Sequence, residues 1–240
     1  LDRMIREFKV EVNQGAPQVA YKEAITKTID HREVYKKQSG GRGKFGDMSF
    51  ELGPVDKDFE GSGVQFVDQI KGGSIPKEFI PAIEKGFKEC MSNGVLAGYP
   101  VDNFKVRLYD GSFHPVDSDS ASFELTAKSA YRNAMPLAGA VILEPMMKLE
   151  IISPEEYTGD IVGDLNRRRG QLEGMDFRGN DQVIKGFVPL SAMFGYVTDL
   201  RTMSSGRAVS SMVFDHYAEV PANVSKEIKE KASGKVKVED

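Results

Sequence analysis

Lys148-Leu149-Glu150-Ile151-Ile152-Ser153-Pro154-Glu155-Glu156 sets two periodicities side by side. Lys148 to Ile152 reads as a strand. Ser153-Pro154-Glu155-Glu156 then has the form of a capping box with proline at the first helical position. The spacing predicts a helix that continues to Arg169 and stops at Gly170. Strands follow near 171–177 and 182–189, split by Gly179-Asn180-Asp181. Ser191 is read as the cap of a second helix ending near Met203, and Ala208 to Ala218 as a last strand. The order β-α-β-β-α-β, two split βαβ units in about 75 residues, is ferredoxin-like. Pro221 opens a further amphipathic helix, followed by a charged tail.

Upstream, from Val19 to Pro145, strands are expected around 19–29, 44–53, 63–70 and 101–109, with a short one from Ala140 to Leu143. Phe104, Val106 and Leu108 alternate with Lys105, Arg107 and Tyr109, the period of a half-buried strand. Phe79, Ile83, Phe87 and Met91 recur every four residues and predict a helix from Pro76 to Asn93, with Gly94 as its left-handed C-cap. A second helix, Ala121 to Met135, places Phe123, Ala127, Ala130 and Ala134 on one face. Residues 1–17 read as a helix–strand remnant without a core of its own, the tail of a preceding domain. Because the chain starts at Leu1 and not at Met, it reads as a piece of something longer.

The 240 residues are of ordinary composition, 40% hydrophobic and 28% charged. A single cysteine, Cys90, permits no internal disulfide, and no apolar run reaches bilayer-spanning length. A net charge of −4 argues against a general nucleic-acid binder but leaves room for a small basic contact on an acidic body. Gln38-Ser39-Gly40-Gly41-Arg42-Gly43-Lys44-Phe45-Gly46 contains G-x-G-x-x-G. A dinucleotide turn needs a buried strand before it and a helix after it. Here "DHREVYKK" precedes it, and Met48, Phe50 and Leu52 continue in strand alternation. The nucleotide reading fails.

Asp110-Gly111-Ser112-Phe113-His114-Pro115-Val116-Asp117-Ser118-Asp119 gathers Ser, His and Asp in one polar loop. It lacks a G-x-S-x-G elbow, and triad members packed into so few residues cannot align in series. On spacing alone His114 is an exposed loop histidine. No histidine pair at i, i+4 and no C-x-x-C points to a metal, and no G-x-x-x-x-G-K-[ST] supplies a P-loop. Arg167-Arg168-Arg169 ends a helix, where cations offset the dipole; gripping phosphates is the other reading.

Taken together, "FKVEVNQGAPQVAYKEAIT", "QSGGRGKFG", "DGSFHPVDSD", the run from Glu144 to Arg201 and "GRAVSSMVFDHYAEVP" resemble the translation elongation factor G family over essentially all 240 residues. The resemblance implies an α+β chain. A ribosomal protein S5 domain 2-like domain with a left-handed βαβ crossover would span 18–145, and a ferredoxin-like domain 146–220. The 221–232 helix would return to the first of these, 1–17 would close a preceding domain, and 233–240 would be a frayed tail. It also implies that two loops form the tip of an arm entering the small-subunit decoding region. Ser39, Gly40, Gly41, Arg42 and Gly43 would make one; Asp110, Gly111, Ser112 and His114 the other. They would contact tRNA and mRNA and block back-slippage, with Arg42 on phosphate and His114 stacking on or hydrogen-bonding to nucleotides. The second domain would meet the large subunit, with Arg167, Arg168 and Arg169 as phosphate contacts or caps. The implied protein is a cytoplasmic monomer without a membrane. This chain would be catalytically inert, holding no cofactor or metal, with GTP and Mg in an N-terminal domain outside it. Phe113, Pro115 and Asp47 depart from the family's usual Tyr, Asp and His. A recycling paralogue, a ribosome-protection factor and a standalone RNA-binding module are the alternatives.

Overall fold

A computed structural model describes residues 19–38 and 40–234, so the expected helix–strand remnant at 1–17 and most of the charged tail lie outside the described residues. The chain divides into two units, Tyr21–Glu144 together with the chain from Tyr217, and Pro145–His216.

In the first unit, β2 (Ile29–Lys37), β3 (Lys44–Pro54), β4 (Val64–Asp68) and β5 (Phe104–Ser112) form a sheet of order β2-β3-β5-β4. β2 and β5 run antiparallel to β3; β4 lies parallel to β5, joined to it through helix α1 (Ile80–Cys90). α1 and α2 (Ser120–Ala134) fill one face. The alternation read from the sequence is the buried set: Met48, Phe50, Leu52, Phe104, Val106 and Leu108 are fully buried against Ile83, Phe87, Phe123 and Ala127. β1 (Lys22–Ile25) pairs with the start of β6 (Ala140–Pro154), from Lys22↔Leu143 to Ile25↔Ala140. The last helix, α5 (Ala222–Ala232), belongs to this unit: Ile228, Val220 and Ile142 cluster with Tyr21, Leu96, Tyr99 and Val224.

Three local readings are corrected. The span 29–37 is a strand although it reads as polar, because its inward residue is a carboxylate with partners. Glu33 is buried and accepts from Ser129 Oγ at 2.7 Å and Asn133 Nδ2 at 3.0 Å on α2, with His31 Nε2 at 2.9 Å. Burial pushes the Glu33 carboxyl up, but these hydrogen bonds outweigh it and hold it below the usual range. Gly94 is not among the positive-φ glycines. It lacks a side chain because the Glu23 carboxylate occupies that space, accepting the backbone N–H groups of Leu96 at 2.7 Å, Ala97 at 3.0 Å and Tyr99 at 3.0 Å.

The second unit forms the expected β-α-β-β-α-β. β6 pairs with β8 (Asp181–Pro189), β8 with β7 (Gln171–Arg178), and β9 (Val209–Glu219) with β6; helices α3 (Thr158–Arg167) and α4 (Tyr196–Met203) pack through Ile161, Leu165, Tyr196 and Leu200 onto Leu149, Ile151, Ile184 and Val188. The third correction concerns its helix starts. Neither Ser153 nor Ser191 caps a helix: 3-10 turns occupy Glu155–Tyr157 and Leu190–Ala192, and α4 begins after Gly195 at φ 77°. Ser153 bonds instead to the Pro154 carbonyl, the side-chain-to-backbone competition open to serine.

Candidate functional site

Antiparallel register decides which loops meet. Lys37 faces Lys44 across the β2–β3 hairpin, and Asp47 faces Ser112 across β3–β5. The 38–43 loop and the 113–119 loop therefore emerge from the same end of one sheet. They are cross-braced. Arg42 Nε donates to the Val116 carbonyl at 2.7 Å, the Gly43 N–H to Asp117 Oδ1 at 2.9 Å, and the Phe45 N–H to the Asp117 carbonyl at 2.8 Å. Ser118 Oγ donates to the Phe45 carbonyl at 2.8 Å and accepts the His114 N–H at 2.8 Å.

His114 is half-exposed, with Phe45 edge-on at a centroid distance of 6.5 Å. Its Nδ1 accepts the backbone N–H groups of Val116 at 3.3 Å and Asp117 at 3.1 Å. An accepting Nδ1 leaves the proton of the neutral ring on Nε2, as a donor. Gly40 and Gly41 sit at φ 58° and 98° with open space where a side chain would be, a conformation only glycine adopts freely. Ser39 lies outside the described residues. Asp110 is exposed at the end of β5, and Gly111 has no room for a side chain against the Asp47 backbone.

Ser112 plays a different part from the one its loop suggested. Its Oγ donates to Asp47 Oδ2 at 2.7 Å, and Arg32 grips the same carboxylate through Nε at 2.9 Å and Nη2 at 2.8 Å. Asp47 is buried, and the Arg32 guanidinium holds its carboxyl below the usual carboxylate range. The Ser112 hydroxyl is thus turned to Asp47 and not to the His114 ring. Asp119 caps α2 through the Ser122 N–H at 2.7 Å and pairs with Lys44 at 2.6 Å. Burial pushes its carboxyl up, but Lys44 and Ser122 bring it down to about 2. Sequence reading gave no bracing role to Asp47, Asp117 or Asp119, which hold the site together. Only Asp119, directly before a helical run, carried a local signal.

The arginines at the end of α3 separate in the second unit. Arg168 is committed to the fold: it bonds Asp164 at 2.7 Å and the Ala192 carbonyl at 2.7 Å, reaches Asp199, and lies 5.0 Å over the Tyr196 ring. Arg169 sits at φ 62° with Ser191 Oγ 3.4 Å from its guanidinium. Arg167 is largely exposed, 3.3 Å from Asp164. Among the described residues no group of His, Cys, Asp or Glu is placed to hold a metal ion, and no helix is long and apolar enough to cross a membrane.

The family model "Elongation factor G, domain IV" matches residues 17–139, and "Elongation factor G C-terminus" matches 141–228. Elongation factor G of Cytophaga hutchinsonii is 61% identical and that of Amoebophilus asiaticus 58% identical, each over 98% of this chain. Each match covers 33% of the relative, so the chain spans about a third of their length. A crystal structure from Thermus thermophilus superimposes with a TM-score of 0.79 at 37% identity, over 96% of this chain and 34% of that one. The chain belongs to the elongation factor G family, of which it carries domain IV and the C-terminal domain.

Proposed function

We propose that this chain is the arm of a ribosomal translocation factor, and that the braced pair of loops at the end of the β2–β3–β5 sheet is the surface that meets tRNA and mRNA in the small-subunit decoding region. The observation that carries the reading is the pairing itself: one loop with an exposed, side-chain-free backbone at Gly40 and Gly41 is fixed against another that presents the Nε2 edge of His114. Bare backbone lets RNA approach closely, and an imidazole edge stacks on or bonds to an unstacked base. Arg42 spends Nε on Val116 and holds Nη2 3.9 Å from Asp119, and its exposed guanidinium is proposed to pair with phosphate. Nothing in this arrangement breaks a bond; the tip acts as a steric and electrostatic pawl behind the moved tRNA–mRNA.

On this reading domain IV spans 18–145 with the 221–232 helix, and the ferredoxin-like domain spans 146–220 and faces the large subunit, with Arg167, largely exposed beside Asp164, proposed as its contact to rRNA phosphate. GTP and magnesium belong to the part of the longer relatives that this chain does not span; no residue here is assigned to either. The factor works as a monomer in the cytoplasm. The test is His114→Ala in the full-length factor. Translocation slows, while ribosome-stimulated GTP hydrolysis stays near the parent rate. A parallel fall in both would remove His114 from the tip.

A further inference from the structure

β4 runs parallel to β5, so it too finishes toward the end of the sheet that carries the two loops. The Gln69 N–H bonds to the Leu108 carbonyl at 2.8 Å, and the chain then passes through Lys71-Gly72-Gly73-Ser74 before turning back into α1. Ile75, the residue after this segment, lies against the end of β5 that leads into the second loop: a Cβ on Gly111 would come within 2.6 Å of Ile75 Cδ1. Gly72 and Gly73 stand at φ 66° and 72°, with nothing within 4 Å of either Cβ position. Glycine is needed there for its backbone and not for packing. Gly72 and Gly73 form a hydrogen-bonded turn that Ser74 closes; the N–H groups of the two glycines have no protein acceptor among the described residues, and Ser74 Oγ is buried without a hydrogen-bond partner. Lys71 is exposed and makes no ion pair among the described residues, unlike Arg107 close by, which is held by Glu51 and Gln69.

This turn presents a lysine, bare backbone and two consecutive N–H donors without a protein acceptor beside the proposed RNA-facing tip. Successive free N–H groups backed by an ammonium favour a phosphate oxygen. We infer that Lys71-Gly72-Gly73-Ser74 is a third tip loop, which takes a phosphodiester of the RNA held by the other two. The inference rests on the functional reading above and extends it to a residue set outside both loops.

The experiment uses the full-length factor with its native cysteines replaced. Cysteines placed at Lys71 and, separately, at Val116 each carry a tethered hydroxyl-radical source, and RNA cleavage is mapped on pre-translocation ribosomes. Cleavage from both positions is expected, at overlapping nucleotides of tRNA, mRNA or small-subunit rRNA. In parallel, Lys71→Glu should weaken ribosome binding by about tenfold and flatten its salt dependence by about one phosphate contact. Cleavage from Val116 alone, with Lys71→Glu neutral, overturns the third loop and leaves the translocation arm standing. No cleavage from either position overturns both.

Discussion

The Nδ1 atom of His114 accepts the backbone N–H of Asp117 at 3.1 Å, so the ring braces its own loop with one nitrogen and presents the other outward. The two jobs are separable by substitution. His114→Asn keeps an acceptor near Nδ1 and loses the outward donor, whereas His114→Gln does the reverse. With Asn the full-length factor should keep its thermal stability but translocate slowly. With Gln it should lose about 1 kcal/mol of stability, the worth of a neutral hydrogen bond, and retain more translocation than Asn. Stopped-flow translocation beside thermal unfolding of the two variants decides it; equal rates for both would mean that Nε2 has no role.

Asp119 makes acid stability predictable. Its folded-state value of about 2 lies below the ordinary 3.8, so the unfolded chain takes up the proton first. The stabilisation is complete above the ordinary value and is lost as pH falls toward about 2. Asp119→Asn keeps an N-cap for α2 but removes the charge facing Lys44. Urea unfolding should show the parent losing stability over that acid window, with the variant's curve flatter. Parallel curves would show that the pair contributes nothing.

Glu23 ties the 94–102 segment to β1 through one carboxylate and three amides. Glu23→Ala strands those N–H groups and should cost about 3 kcal/mol; Glu23→Gln, which offers an acceptor on one side only, should cost less. Gly94→Ala places a methyl group where the carboxylate sits. Combined with Glu23→Ala it should therefore add little to the single change. Additive losses in chemical denaturation would show that the two positions do not share this space.

Two glycines near the tip should respond differently to alanine. A Cβ on Gly46 would overlap Thr126 Oγ1, whereas one on Gly111 would overlap the backbone carbonyl of Asp47. Each Gly→Ala change should cost about 2 kcal/mol, as overpacking does. Thr126→Ala should recover most of the loss at Gly46, and no side-chain truncation should recover it at Gly111. A double-mutant cycle on thermal stability reads the difference.

What could be read from the amino-acid order were features set by near neighbours. Ile83 and Phe87 announced α1, and Phe104, Val106 and Leu108 announced a buried strand, because those periods need no knowledge of a partner. Features set at a distance stayed hidden. β2 looked polar because the groups that satisfy Glu33 lie about a hundred positions away, at Ser129 and Asn133. Gly94 looked like a helix cap because the carboxylate filling its place comes from residue 23. At the tip, the glycines and His114 were recognisable, while Asp47 stood out only as a departure from the family's usual residue. Its burial between Arg32 and Ser112 is a property of register, which the residues around it do not announce.

The cluster of Ile142, Val220 and Ile228 also fixes an order of events. A chain made from its N-terminus has already laid down residues 21–144, the whole of Pro145–His216 must follow, and only then does α5 emerge. The unit begun first is thus the last to be finished. A stop codon before Val220 would leave Tyr21, Tyr99 and Ile142 as an uncovered seam on an otherwise complete body.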